Sequence, residues 1–187
     1  MLGKVFLAGF FAASAFGAMS GAEAAEGVDA AQRETPSGLP VPRFVSVKGA
    51  RTNCRLGPSL SHPVKFVFQR AGTPVLVVAE TRDHWRKVRD ADGDECWAFH
   101  TTLKMRSHVI LTEPTSLRAQ RRETSMLRGE LEAGVMAKLL KLKVDERGAW
   151  ALVKAGAARG WAPASSLWGA RADLNPALPN ARAVQAD

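Results

Sequence analysis

One short pattern is spelled twice along this chain, and that repetition limits the fold more than any single motif does. Thr52-Asn53-Cys54-Arg55 answers to Thr115-Ser116-Leu117-Arg118, and Gly72 to Gly134, each glycine opening an aliphatic run. Trp85-Arg86-Lys87-Val88 answers to Trp150-Ala151-Leu152-Val153, Cys96-Trp97-Ala98 to Gly160-Trp161-Ala162, and Thr101-Thr102-Leu103 to Ser165-Ser166-Leu167. The offset stays between 62 and 65 residues throughout. Two tryptophan pairs, a glycine and both flanking motifs at one spacing point to one folding unit written twice. A unit of ~60 residues has a marginal core, so docking of the two copies or a covalent staple would help it.

Each copy reads as β structure. Val75 to Val78 is a short apolar run, and Trp85, Lys87 and Arg89 alternate with Arg86 and Val88. Asp90-Ala91-Asp92-Gly93-Asp94 is a polar turn, after which Glu95 to Phe99 returns. Short strands bounded by turn signals indicate a small barrel or sandwich. In the second copy Leu140, Leu142 and Val144 alternate with Lys141 and Lys143, a period of two. Met126 to Leu140 also fits a helix, with Leu127, Leu131, Val135 and Leu139 spaced by four. The repeat argues for strands there and decides the assignment.

The ends differ in kind. Lys4, the apolar stretch Val5 to Met19 and Ala22-Glu23-Ala24 form a secretory signal pattern, predicting cleavage after Ala24 and a periplasmic or secreted protein. No other long apolar segment follows, so no membrane span is expected after cleavage. Residues 25–43, with Pro36, Gly38, Pro40 and Pro42, read as an extended linker. Residues 170–187 read as a disordered tail. The fold class is all-β, two small barrels at 44–107 and 108–169. The formal net charge of +8 draws the chain toward anionic partners without choosing among them.

The pattern resembles bacterial SH3-like domains. Asn53-Cys54-Arg55-Leu56-Gly57-Pro58, Gly72-Thr73-Pro74-Val75, Trp85-Arg86-Lys87-Val88 and Cys96-Trp97-Ala98, with Leu103 closing, match the usual signature of that family. In the second copy the Gly-Pro after Arg118 is replaced by Ala119-Gln120. The resemblance implies two tandem SH3-like barrels, with Trp85 and Trp97 on adjacent strands of a hairpin, their rings burying a large apolar area and contacting most of a small core. It also implies binding rather than catalysis, since members fused to wall hydrolases are thought to recognise peptidoglycan. The implied partner is a cell-wall peptide or an envelope protein, with a protein–protein adaptor as the alternative. Nucleic acid is disfavoured by export.

Cys54 and Cys96 both depart from the family pattern, and their counterparts are Leu117 and Gly160. In an exported chain an even cysteine count favours a disulfide, against two buried thiols or a metal pair. A cysteine nucleophile would need one of His62, His84, His100 or His108. His100 is the nearest in sequence, and four residues along a strand place it about 13 Å from Cys96. The Asp90–Glu95 stretch has its glycine in the fourth place rather than the sixth of a calcium loop, and reads as a hairpin turn. No catalytic, metal or cofactor residues are therefore assigned.

The basic runs at Arg82, Arg86, Lys87, Arg89 and at Arg118, Arg121, Arg122, Arg128 are either solvated strand faces or an anionic-ligand surface. The chain lacks tyrosine, which argues against a polyproline groove of the eukaryotic type. The residues named as a candidate ligand surface are Phe66, Arg82, Arg86, Phe99 and Trp168.

Overall fold

The computed structural model describes residues 35–146 and 148–170. The predicted signal peptide at 1–24, most of the predicted linker and all but the first residue of the predicted tail lie outside these. Within them the chain is all-β, in two seven-stranded antiparallel sheets.

The first sheet takes β1 (Arg43–Val47), β2 (Thr52–Arg55), β3 (Val64–Phe68), β4 (Pro74–Glu80), β5 (Trp85–Arg89), β6 (Glu95–Phe99) and β7 (Leu103–Met105). The second takes β8 (His108–Leu111), β9 (Thr115–Arg118), β10 (Leu127–Leu131), β11 (Met136–Asp145), β12 (Gly148–Ala155), β13 (Ala158–Pro163) and β14 (Leu167–Trp168). The strand orders are β3-β2-β6-β5-β4-β1-β7 and β10-β9-β13-β12-β11-β8-β14. Adding seven to each label of the first gives the second, so the duplication extends to topology. A 3-10 turn precedes the last strand of each copy, at His100–Thr102 and Ala164–Ser166. The ambiguous stretch from Met126 folds as β10 and β11, as the repeat required.

Alternation along each strand decides what fills the barrels. Val88, Cys96 and Ala98 point inward with Val47, Cys54, Phe68, Val75 and Val77. Val109, Leu111, Leu117, Ala137, Ala151, Val153, Ala162 and Leu167 fill the second. The cysteines are bridged, with Cα atoms 5.5 Å apart, within the range a disulfide needs. At the matching place in the second barrel a Cβ on Gly160 would lie 2.7 Å from that of Leu117. Leucine over glycine there occupies the space that the bridge occupies in the first copy.

Two expectations about packing need correction. Of the two tryptophans expected in the core, Trp85 is buried, 6% exposed, and Trp97 is not. Trp97 is half-buried and sits between inward Cys96 and Ala98, so period-two geometry turns it outward. Trp85 is buried but shares its side of β5 with Lys87 and Arg89, opposite core residue Val88. The linker also ends earlier than expected. Arg43 opens β1 and is 7% exposed, and the Ser37 N–H donates to Glu80 Oε2 at 3.1 Å. Ala170, assigned to the tail, is buried in the second core.

The barrels meet at a packed junction. Trp168 stacks edge-on against Phe44, ring centroids 5.1 Å apart, and its Nε1 donates to Pro74 O at 3.4 Å. The Ser107 N–H donates to Ser46 Oγ at 3.1 Å, and Arg106 Nη1 to Gly169 O at 3.0 Å. Gly72 has φ +90°, and a Cβ there would lie 2.6 Å from His108 Nδ1. Glycine at 72 thus serves both its turn and the approach of the second barrel.

Candidate functional site

The side of each sheet turned away from the core carries the features that could meet a ligand. In the first barrel Trp85, Lys87 and Arg89 of β5 lie opposite Phe99, Trp97 and Glu95 of β6, and Arg55 of β2 pairs with Trp97. In the second, Trp150, Leu152 and Lys154 of β12 lie opposite Pro163, Trp161 and Arg159 of β13, and Arg118 of β9 pairs with Trp161. The same face is thus built twice around a half-buried tryptophan with an arginine at its side.

The two faces differ in charge. In the first, Glu95 accepts from Lys87 at 2.5 Å and from Arg89 at 2.6 Å. Those hydrogen bonds hold the Glu95 carboxyl below its ordinary value, against the opposing effect of burial, and the two cationic charges add to it. Lys65 is paired with Asp94 at 2.8 Å. In the second, the place of Glu95 is taken by Arg159, which is exposed. Arg118, Arg128 and Arg159 line an open groove of about 500 Å³ with Leu152 and Trp161. Arg121 lies over the Trp161 ring at 5.7 Å and pairs with Asp145. A second, smaller depression shares Arg118 and adds Ser116, Glu123, Trp150 and Pro163.

Elsewhere the polar groups serve the fold. Glu80, its side chain fully buried, takes Arg43 and, at 2.9 Å, Arg86. Burial raises its pKa, but the bonds from Ser37 and Arg43 and the two guanidinium charges outweigh that and leave the carboxyl below its ordinary range. At the corresponding register in the second barrel stand Leu142 and Ala151, an apolar pair. The Asp90–Asp94 stretch is the expected hairpin turn, with Gly93 at φ +92° and Asp90 Oδ1 accepting from the N–H groups of Asp92 and Asp94. Ser59 Oγ is 2.7 Å from His62 Nδ1, an exposed contact within one loop rather than a meeting of separate elements. Among the described residues no three His, Cys, Asp or Glu side chains gather as a metal would require.

Residues 48–104 match the family model described as a bacterial SH3 domain. Over these residues the first barrel is similar to bacterial SH3 domains. No curated protein matches the chain. Solved structures that resemble it include NlpC2 from Trichomonas vaginalis (10% identity, TM-score 0.32, covering 73% of this chain and 51% of that one). NlpC1 from the same organism is similar at 10% identity and TM-score 0.31, covering 74% and 48%. The chain spans about half the length of these proteins.

The five residues named as a ligand surface do not all face outward from the first barrel. Arg86 is consumed by Glu80, and Trp168 by the junction with Phe44. Phe66 packs against the first core and edge-on against Phe68 at 5.1 Å. Phe99 stays beside Trp85, centroids 5.4 Å apart, at the end of the outer face, and Arg82 is exposed in the preceding turn. His100 lies in the 3-10 turn against His84, centroids 4.9 Å apart, rather than near Cys96. Sequence reasoning missed Trp97, Trp161, Arg55 and Arg159 as surface residues. The signal was present: on both strands the tryptophan alternates with small residues, Cys96 and Ala98 or Gly160 and Ala162, which suit a crowded interior.

Proposed function

We propose that the chain is a non-catalytic, exported binding module that recognises a component of the cell envelope, a cell-wall peptide or an envelope protein. The observation that carries this reading is the repeated outward pair, Arg55 beside Trp97 and Arg118 beside Trp161. An outward indole with an arginine at its strand register offers apolar area, a hydrogen-bond donor and charge on one face, the combination favoured in recognition surfaces, and the Arg55 and Arg118 guanidiniums are steadied there by the His62 and Ser125 carbonyls. The bacterial SH3 match and the signal pattern at the N-terminus support the envelope as the setting. An adaptor that joins proteins is favoured by the Phe44–Trp168 contact between the barrels, which places two similar faces on one chain.

Two experiments test the proposal. N-terminal sequencing of protein from the envelope fraction is expected to begin at Ala25, and an intact Met1 would remove the export step. Co-sedimentation with purified insoluble cell wall at low salt is expected to retain the protein. If it stays in the supernatant, the wall-peptide form of the reading fails and the envelope-protein form is left.

A further inference from the structure

We propose that the outer face of the second barrel docks an acidic, partly apolar peptide segment of an envelope protein, with Arg118, Arg128 and Arg159 taking its carboxylates beside Trp161. The inference rests on the binding reading above and narrows it to one face and one ligand chemistry.

The comparison between the two copies carries the argument. On the first barrel Glu95 holds Lys87 and Arg89 and Asp94 holds Lys65, while Arg55 donates to the His62 carbonyl at 2.8 Å. On the second, the residue in the position of Glu95 is a further cation, Arg159, opposite Lys154. Arg128 and Arg159 are exposed without a carboxylate partner among the described residues, and Arg118 donates only to the Ser125 carbonyl, at 3.3 Å. Guanidinium groups gathered at one groove repel one another, and an incoming anion relieves that repulsion. Arginine suits carboxylates because its planar fork can meet both oxygens at once.

The groove also says what kind of anion fits. Its cations are interleaved with Leu152 and Trp161, and the adjoining depression adds Trp150 and Pro163. A bare polyanion would satisfy the arginines and leave these apolar surfaces wet. An extended peptide that alternates carboxylates with apolar side chains would cover both. Acidic groups bound the face rather than occupy the groove: Glu123 lines the smaller depression, Asp145 is held by Arg121, and Glu130 faces Ser116 at 3.4 Å.

The test is a fluorescence-anisotropy titration of the exported chain with a labelled peptide of alternating Glu and Leu, and in parallel with polyphosphate of matched charge. The peptide is expected to bind, more weakly as salt rises. Arg159→Glu, which installs the first barrel's residue type, is expected to weaken it at least about tenfold, and Arg159→Ala to act in the same direction. Arg51→Glu, the same charge change at an exposed site on the first barrel, is expected to have little effect. Thermal melts confirm that each variant folds. Equal loss from Arg51→Glu and Arg159→Glu, or polyphosphate binding as tightly as the peptide, would overturn the proposal. Envelope sedimentation of the unmutated chain separates the two levels. Retention without peptide binding sinks this inference and leaves the binding reading standing, whereas failure of both sinks both.

Discussion

Single residues decide how each barrel closes, and two of them are decisive enough to predict. Glu80 is fully buried between Arg43 and Arg86. Glu80→Gln leaves two guanidiniums without their counter-charge inside the protein, at a cost of about 3–5 kcal/mol, read as a lower urea midpoint. The same carboxyl ionises more readily folded than unfolded. Its contribution is therefore complete above the unfolded value of about 4.3 and is lost as pH falls through the lower folded value. In the second barrel Gly160→Ala drives a Cβ against Leu117 and to 3.0 Å from the Arg118 carbonyl, which is expected to cost about 1–3 kcal/mol by the same measurement. Neither effect was legible in the sequence. Arg86 reads there as one of a run of surface cations, and only the pairing of β4 with β5 reveals Glu80 opposite it.

At the scale of strands, much was legible because the repeat supplied each copy with the other's evidence. Residues 126–140 carry a four-residue apolar spacing that on its own reads as a helix. Their counterparts around Gly72 are strands, and the tertiary pairing of β11 with β12 and β8 overrides the local pattern. The spacing misleads because residues four apart share one face of a strand as well as neighbouring positions on a helix. The bridge between β2 and β6 closes a separation of 42 residues. Its reduction is expected to destabilise the first barrel by about 4 kcal/mol on the chain-entropy account. Urea titration with and without reductant measures this, and an unchanged midpoint would show that the cysteines contribute no constraint.

For the molecule as a whole, the junction and the two outer faces matter most, and they were the least legible. Trp168 looks in the sequence like a free aromatic, because nothing local shows that Phe44 of the other copy covers it. His108 lies in the same junction, its Nδ1 2.8 Å from Ser107 Oγ, and burial, followed by the charges of Lys104 and Lys138, lowers its pKa. The unfolded imidazole then takes a proton more readily than the folded one, so stability should fall as pH drops below about 6.5. A urea midpoint that falls between about pH 7.5 and 5.5 in the parent chain, and falls less in His108→Asn, is the expected result.

The account turns on Trp97 and Trp161 being outward contact residues of a duplicated binding face rather than pieces of core. The most direct measurement is retention of the chain by isolated envelope, compared with the Trp97→Ala, Trp161→Ala double variant, with melting curves taken on both. The account predicts that retention is lost while the melting temperature stays close to that of the parent. Retention unchanged by the double substitution, or a collapse of the fold in its place, would contradict it.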